Sequence, residues 1–399
     1  MNLLLWILLT AVLFVLLGAA IELAVRWCLQ RGGKYYVWPP GLRLHLHPDP
    51  ALFPELESSV RIEINRDGER GDEAPMSDPS FYRILVAGGS PAECGLIDQP
   101  TSWPGALQCL LDKPEHLRLL GASKVHVGNI AKSGIASQHL DLIFERVLPQ
   151  YRQLDTIIIM VGGNDVFQWL QNGAPASVQD SSDSASEAFS VNPEGPFKWN
   201  PRELALVELL KRLYRRWFWR VKVRYHSGKW VGRARTMRAR AKEVRITVPQ
   251  PAGMLQRFEY HFRSLIHKAK ATADRVLVLR QPWFEKEDYT SDEAAHFWHG
   301  AMGDPTGKEE VTVYYSFEVV ASLMAFMDAR AAKIADELGV EQLNLMPLLE
   351  RSTKTYYDFV HFTPAGAAEV AALTADAILR RHESQNSTPS LACISMLVF

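Results

Sequence analysis

Short, almost unbroken apolar runs recur along the chain, separated by stretches with helical periodicity. Apolar runs of this kind predict strands buried on both faces of a parallel sheet. They span residues 83–87, 124–127, 155–161, 275–279 and 340–345. Predicted helices follow them in turn at residues 103–111, 137–147, 254–273, 316–338 and 364–381. This alternation favours an α/β fold with a parallel sheet covered by helices on both faces.

The most apolar part of the chain is residues 3–21, LLLWILLTAVLFVLLGAAI, which carry no charge. At about 1.5 Å per residue, such a helix nearly spans the roughly 30 Å hydrocarbon core of a bilayer. Glu22 then lies at the predicted interface, followed by Arg26 and Trp27 as interface anchors. We therefore expect a transmembrane helix over residues 1–25.

A cleaved signal peptide is the alternative interpretation of this segment, since Gly18, Ala19 and Ala20 resemble a cleavage site. The basic n-region of a signal peptide is missing and the apolar run is long, which favours a retained anchor. Basic residues flank only the C-terminal end of the run, so the positive-inside rule favours a cytoplasmic main domain. We leave the side of the membrane open.

Composition divides the rest of the chain. The predicted regions are a connector at 26–80, a main domain at 81–383 with an insertion at about 170–248, and a tail at 384–399. The connector is rich in proline and charge, and we expect one short strand in it, at 60–64. A serine-rich acidic stretch at 179–190 predicts a flexible loop at the start of the insertion.

Charge and cysteine content narrow the class of protein only a little. The 399 residues have a formal net charge of -1, which gives no overall attraction to nucleic acid. The four cysteines show neither zinc-ligand spacing nor a disulfide-rich framework; they are Cys28, Cys94, Cys109 and Cys393. We therefore expect no metal, no cofactor and no nucleic-acid partner.

Polar residues with catalytic potential follow the predicted strands. Ser90 comes after two glycines at the end of the first core strand, and Asp358 precedes His361 by three residues in one loop. A serine becomes a nucleophile when a base removes its proton and a third group orients that base. We expect Ser90 to be the nucleophile, His361 the base and Asp358 its orienter.

An oxyanion hole is expected from two further motifs. The backbone N–H groups of Ser90 and Gly134 and the side-chain amide of Asn164 are the candidate donors. Each motif alone has an ordinary structural explanation, because Gly-Gly-Ser and Gly-Gly-Asn-Asp suit turns and Asp358 suits a helix cap. Their common order, each after a predicted strand, favours acyl-transfer chemistry, because active sites of such sheets lie at the strands' C-terminal ends.

The four motifs together resemble those of the SGNH hydrolases, also called GDSL esterases or lipases. Ser90, Gly134, Asn164 and the pair Asp358 and His361 match the family's four blocks, and the resemblance covers about residues 83–382 apart from the insertion. It implies a flavodoxin-like three-layer α/β/α fold, no metal, and hydrolysis of carboxylic esters through an acyl-enzyme. The chain departs from the usual Gly-Asp-Ser of the first block.

That departure is Gly89, which stands where the family usually has aspartate. The family's aspartate is generally a structural partner and not a triad member, so the resemblance still implies an intact triad.

Within the insertion, residues 211–245 are strongly basic and contain Trp217, Phe218, Trp219 and Trp230. Basic residues interleaved with large aromatics suit an interface with anionic lipid. Our hypothesis is that this segment docks the main domain onto the bilayer. The alternative is a solvated helical face whose aromatic side chains pack inward.

A second segment follows the fourth core strand and places three polar side chains near the expected site. Arg280, His299 and Tyr315 are candidate substrate contacts. His296 and His299 are also spaced like a metal pair, but no accompanying cysteine or carboxylate pattern supports a metal site.

The sequence thus predicts a membrane-anchored serine hydrolase that cleaves an O-acyl ester of a small molecule, glycan or lipid. Two alternatives stay open. An O-acyltransferase would use the same triad and pass the acyl group to a glycan hydroxyl. A non-catalytic binding module would keep the fold and the cleft without turnover, and Gly89 is the feature that favours it.

Overall fold

The computed structural model describes residues 3–31, 34–75, 78–178, 184–189, 197, 200–225 and 228–387. In chain order its helices and strands are α1 (Leu3–Arg31), β1 (Arg43–Leu46), β2 (Val60–Glu63), β3 (Phe81–Gly88), α2 (Ser90–Glu93), α3 (Trp103–Leu111), α4 (Pro114–Leu120), β4 (Lys124–Asn129), α5 (Ser137–Val147), β5 (Leu154–Met160), α6 (Gly163–Gln171), α7 (Ser184–Ala188), α8 (Ala205–Tyr225), α9 (Lys229–Ala239), β6 (Glu243–Arg245), α10 (Ala252–Lys270), β7 (Ala273–Arg280), α11 (Ser291–Ala295), β8 (Val313–Tyr315), α12 (Phe317–Glu337), β9 (Glu341–Asn344) and α13 (Pro364–Ser387).

A five-stranded sheet in the order β4-β3-β5-β7-β9 forms the centre of the domain, and all its neighbouring strands are parallel. Numbered along the chain, this order is 2-1-3-4-5, the flavodoxin-like arrangement of doubly wound folds. Helices α3, α4 and α13 contact one another, and α10 contacts both α5 and α12. The protein is therefore a three-layer α/β/α fold, which confirms the fold class predicted from the alternating pattern.

The central strands are buried because both faces of the sheet are covered. In β5, Ile157, Ile158, Ile159 and Met160 are fully buried, as a strand between two helical layers requires. β3 ends beside β5, with Gly88 opposite Met160. A Cβ atom at Gly88 would lie 2.1 Å from the Met160 carbonyl oxygen, so this strand end accepts only glycine.

The segment predicted as a connector, 26–80, is largely packed onto the domain. Its strands β1 and β2 pair antiparallel, and they bury alternate residues. Val37 and Leu42 join the same hydrophobic core as the central sheet, and the Trp38 Nε1–H donates to the Ala131 carbonyl at 2.9 Å. The proline and charge content of the segment conceals these alternating apolar positions.

Helix α1 is long and apolar. Within Leu5–Gln30 the most apolar window has a mean hydropathy of 2.5 and is not buried against the rest of the protein, whereas Arg26, further along the helix, is buried. By length and composition this helix suits a membrane span or a signal sequence. Among the described residues, it is the one helix that meets these criteria.

Between α6 and α10 lie α7, α8, α9 and β6, in the region predicted as an insertion. Part of the stretch predicted as a loop, 179–190, is helical, because Ser184–Ala188 form α7 and the following Phe189 is buried. The loop prediction from serine content was wrong for α7, since the buried side chain of Phe189 fixes the end of this helix against the protein. The tail from residue 388 onward lies outside the described residues.

Candidate active site

Ser90 is presented at the C-terminal edge of the sheet by a tight strand-to-helix turn. β3 ends at Gly88, Gly89 is extended, and Ser90 begins the short helix α2, in which Pro91 fits the first turn. The Ser90 Oγ lies 2.7 Å from His361 Nε2. The serine hydroxyl is therefore within hydrogen-bonding reach of an imidazole base.

His361 is held by the carboxylate of Asp358, three residues earlier in the same loop. The Nδ1 of His361 lies 2.7 Å and 2.9 Å from the two Asp358 oxygens. An ionised carboxylate only accepts hydrogen bonds, so Nδ1 carries the proton. Nε2 then presents a lone pair to the Ser90 hydroxyl, which is the tautomer that a general base needs.

Asp358 is buried, yet it remains the acidic partner. Burial pushes its pKa upward, but the charge of His361 and hydrogen bonds from His361 and the Val360 N–H hold the pKa below its ordinary value. The indole Nε1–H of Trp298 donates to the second Asp358 oxygen at 3.0 Å. Four donor groups therefore fix this carboxylate in its ionised form.

The candidate oxyanion donors line the same cleft as the triad. Gly134 has a φ of 79°, a left-handed conformation that favours glycine, and its carbonyl accepts from Gln168 Nε2 at 2.6 Å. The Asn164 Nδ2 donates to the Ile135 carbonyl at 2.9 Å. A primary amide has two N–H groups, so this bond orients the Asn164 amide and leaves a second donor for the cleft.

Gly89 leaves the room that Asn164 occupies. A Cβ atom at position 89 would lie 2.8 Å from Asn164 Nδ2, which is closer than real Cβ contacts allow. The backbone of Gly89 has φ -85° and ψ -162°, a conformation open to any residue. A side chain at position 89 would therefore displace the neighbouring Asn164 amide, whereas the backbone itself admits any residue.

Glu93 was not singled out by the sequence pattern, yet it links two parts of the site. Its buried carboxylate accepts a short hydrogen bond from the Ser133 N–H, and Glu93 and Ser133 both line the cleft. Burial raises the pKa of the Glu93 carboxyl above its ordinary value. Because Glu93 ends the helix that Ser90 begins, it ties the Gly134 loop to the nucleophile helix.

His299 is brought to the cleft, as expected for a substrate contact. Its ring lies 4.0 Å from that of Trp298 and 5.9 Å from that of His361, measured between centroids. Burial lowers the pKa of His299 to about 3, so the ring is neutral at pH 7. Its Nδ1 is buried and has no hydrogen-bond partner within the described part of the chain.

The structure does not bring Arg280 and Tyr315 to this cleft. Arg280 forms an ion pair with Asp328 of α12, with its Nε 2.8 Å from the carboxylate. Tyr315 is buried in β8, where its N–H donates to the Gly300 carbonyl at 2.7 Å. Both residues form hydrogen bonds with partners that the sequence did not indicate. Neither of them lines the cleft.

A metal ion has one set of candidate ligands among the described residues. Ligand atoms of His299, Asp358 and His361 lie within 4.8 Å of one another. However, both Asp358 oxygens and both His361 nitrogens take part in the hydrogen bonds that join them to each other, to Trp298 and to Ser90. The geometry therefore favours proton transfer between Ser90 and His361.

The cleft has a volume of about 620 Å³, and part of its wall comes from the insertion. Its aromatic lining residues are Phe167, Trp230, Trp298 and Tyr357. The Tyr357 ring stacks on His361 with centroids 5.4 Å apart, and Trp230 packs edge-on against Trp298 at 4.9 Å. Each member of the Asp358–His361 pair therefore contacts an aromatic ring, Trp298 beside Asp358 and Tyr357 on His361.

Arg235 of α9 joins this wall to the triad loop. Its guanidinium donates to the carbonyls of Leu52 at 2.6 Å, His296 at 3.0 Å and Tyr357 at 3.0 Å. Burial lowers the pKa of Arg235 from its ordinary value, with the nearby Asp358 carboxylate opposing this. The residue before Asp358 is thus fixed by a side chain of the insertion.

Arg238, one turn further along α9, also donates hydrogen bonds to backbone carbonyls of neighbouring loops. It donates to the carbonyls of His299 and Tyr315, and its guanidinium lies 3.8 Å from the centroid of the Phe317 ring. Burial lowers its pKa to about 10. These two arginines are therefore consumed by internal contacts and not presented to a lipid surface.

No protein-family model matches the sequence, and no curated protein matches it either. By structure the chain is similar to Axe2, an acetylxylan esterase from Geobacillus stearothermophilus, with 14% sequence identity, 75% of this chain and 94% of that chain covered, and a TM-score of 0.38. It is also similar to LAE5, an alpha/beta hydrolase enzyme from the metagenome of Lake Arreo, Spain, with 13% identity, coverage of 76% and 99%, and a TM-score of 0.40. At these sequence identities and TM-scores, the similarity assigns no function to this chain.

Proposed function

We propose that this chain is a membrane-anchored serine hydrolase of the SGNH type that cleaves carboxylic O-acyl esters. One observation carries the proposal. The Ser90 hydroxyl, the His361 imidazole and the Asp358 carboxylate form an unbroken line of hydrogen bonds at the edge of the sheet. A nucleophile, a base and an orienting acid in this order are the requirements for acyl transfer through a covalent intermediate.

In the proposed reaction, Ser90 Oγ attacks the ester carbonyl carbon while its proton passes to His361 Nε2. The imidazolium that forms is stabilised by the ionised Asp358, whose lowered pKa keeps it charged. The same proton then goes to the leaving alcohol, and an acyl group remains on Ser90. Water, deprotonated by His361, attacks this acyl-enzyme and releases the acid and the free serine.

The oxyanion formed in both steps is expected to bind the N–H groups of Ser90 and Gly134 and the Asn164 amide. Each donor of this kind typically contributes about 3 kcal/mol to stabilising the transition state. The contact between Gly134 and Gln168 and the contact between Asn164 and Ile135 support this role, because they fix the donors before substrate binds. His299 lines the same cleft and is expected to contact the substrate.

The cleft suits an ester with a glycan or lipid alcohol, because its walls combine aromatic rings with polar groups. Trp230, Trp298 and Tyr357 provide faces on which a sugar ring or an acyl chain can stack. Helix α1 supports membrane anchoring, because it is uncharged over residues 3–21 and its side chains at residues 5–21 are exposed. Turnover of esters that differ in acyl length and in alcohol identifies the preferred substrate.

The proposal is tested with the full-length chain in detergent and a panel of short- and long-chain p-nitrophenyl esters. Ser90→Ala is expected to lower turnover about a thousandfold or more, since the nucleophile is removed. Ser133→Ala is the matched control: it removes a hydroxyl from the same cleft but keeps the backbone N–H that Glu93 binds. Equal turnover in Ser90→Ala and the parent chain would refute the proposal, and a product formed only with an added glycan would identify a transferase.

A further inference from the structure

Helix α8 carries an exposed apolar stripe. Leu206, Leu210, Leu213 and Trp217 recur at helical spacing and are between 42% and 62% exposed. Side chains at these intervals share one face of a helix. An exposed stripe of large apolar side chains marks a surface that meets lipid or protein.

The opposite face of α8 is directed toward the protein. Glu208 and Arg212 lie on it, largely covered, and form an ion pair at 2.9 Å. α8 contacts both α1 and β1, and β1 belongs to the buried core through Leu44 and Leu46. The stripe is therefore directed away from the domain by a helix that is itself attached to the domain.

The first turn of α8 is fastened to the end of the apolar run in α1. The Glu22 carboxylate accepts from the Ala205 N–H at 2.6 Å and from the Leu206 N–H at 3.0 Å. A carboxylate at this point satisfies unpaired N–H groups and complements the positive end of the helix dipole. Arg26 adds a hydrogen bond to the Asn200 carbonyl at 3.0 Å and one to Glu22 at 3.0 Å.

Glu22 also marks the depth at which α1 leaves the hydrocarbon, because residues 3–21 carry no charge. Because the first residues of α8, Ala205 and Leu206, bind Glu22, α8 starts at the membrane interface. The sequence of α8 contains seven lysines and arginines and one glutamate, which complements anionic lipid headgroups. The stripe begins at Leu206, whose N–H binds the residue at which the uncharged run of α1 ends.

From these contacts we infer that α8 is a second membrane element, lying in the interface of the bilayer that α1 crosses, with its apolar stripe among the acyl chains. The inference rests on the anchoring role of α1 in the proposed function. The bilayer is the occupant that both the junction at Glu22 and the basic composition favour. α9 is not part of this surface, because two of its arginines, Arg235 and Arg238, bind carbonyls inside the protein.

The test uses the full-length chain, with exposed cysteines replaced by serine, in vesicles of phosphatidylcholine and phosphatidylglycerol. An environment-sensitive fluorophore is attached at Leu210→Cys, and nitroxide-labelled lipids serve as quenchers. Leu213→Cys, on the same stripe, is measured in parallel, so the result does not depend on one substitution. Ala239→Cys, at an exposed position of α9, is the matched control.

Quenching by the labelled lipids is expected to be severalfold stronger at positions 210 and 213 than at 239, with little quenching by aqueous iodide. Quenching at 210 no stronger than at 239 overturns the inference, as does shielding from iodide without lipid quenching, which would indicate a second copy of the chain. A label at Leu13→Cys in α1 distinguishes a failure of the α8 inference from a failure of the membrane anchor. Quenching there but not at 210 refutes α8 alone, whereas its absence at both refutes the anchor.

Discussion

Helices α8 and α9 come from one basic, aromatic stretch of sequence, yet they differ in where their side chains go. In α9 the guanidinium groups of Arg235 and Arg238 are directed inward to backbone carbonyls, and Trp230 packs on Trp298. In α8, Leu210 and Trp217 are directed outward, into the surroundings of the protein. α9 contributes Trp230 and Val231 to the wall of the candidate site, whereas α8 presents an apolar surface.

This difference shows that composition alone does not assign a basic segment to a surface. The docking hypothesis for residues 211–245 treated both helices as one lipid-binding element. It was wrong for Arg235 and Arg238, which donate to carbonyls on loops far away in sequence. It was also wrong for Trp230, whose ring packs against Trp298. For these residues, the alternative of inward-packed aromatics is the better description.

The largest effect that separates the two helices is expected from Arg235→Ala in α9. This change removes three hydrogen bonds from a charged donor, including the one to the loop that precedes Asp358. We expect the free energy of unfolding to fall by about 3 kcal/mol and ester turnover to fall about a hundredfold. Chemical denaturation and p-nitrophenyl ester hydrolysis measure the two quantities.

The matched change in α8 is Arg212→Ala, which removes an ion pair with Glu208. A helix pair of this type contributes about 0.3–0.5 kcal/mol, so stability and turnover are expected to stay near those of the parent. Arg235→Lys sharpens the contrast, because one ammonium group does not reproduce the planar fork of the guanidinium. Equal losses of stability and turnover in Arg235→Ala and Arg212→Ala would contradict the difference between α9 and α8.

A second, smaller effect is expected at Gly89, which precedes Ser90 at the C-terminal edge of the sheet. In Gly89→Ala the new methyl group displaces the Asn164 amide, which lies 2.8 Å from the Cβ position. Because the displaced atom ends a flexible side chain, stability should change little, whereas turnover should fall about tenfold or more through the weakened oxyanion donor. The kcat measured with Asn164→Ala and with both changes together checks this, since the two effects should not add.

Trp298→Phe is expected to act through Asp358. Loss of the indole N–H removes one of the carboxylate's donors while the aromatic packing against Trp230 is largely kept. We expect kcat to fall about tenfold with KM nearly unchanged, since a hydrogen bond to a charged group contributes about 1.5 kcal/mol or more. A change confined to KM would instead place Trp298 in substrate binding alone.

The smallest effect on soluble esters is expected from the double change Leu210→Ser and Trp217→Ser in α8. Turnover of a soluble p-nitrophenyl ester should stay within about twofold of the parent, because exposed substitutions rarely alter a distant site. Turnover of an ester carried in anionic vesicles should fall severalfold if the stripe holds the domain at the interface. An equal loss on both substrates would show that α8 serves the fold and not the membrane.

Much of the fold was predictable because its signals are local. The apolar runs at 83–87 and 155–161 are buried strands, and the predicted helices 103–111 and 137–147 have the bounds seen in the structure. The four motifs follow strands, so the parallel sheet brings Ser90, Asn164 and His361 to one edge. Chain order and strand direction are enough to predict that grouping.

The supporting contacts were not predictable, because they join residues far apart in sequence. Trp298 meets Asp358 across 60 residues, Glu93 meets Ser133 across 40, and Arg235 meets Tyr357 across 122. Arg280 illustrates the same limit. Its place at a strand end suggested substrate binding, but Asp328 on a neighbouring helix pairs with it.

The central claim is that His361 activates Ser90 as a nucleophile, and covalent labelling tests it most directly. The full-length chain is treated with a fluorophosphonate, and the modified peptide is identified by mass spectrometry. We predict one adduct, on Ser90, that is lost in Ser90→Ala, greatly slowed in His361→Ala and retained in Ser133→Ala. A folded chain that does not react, or that labels equally fast without His361, would contradict the account.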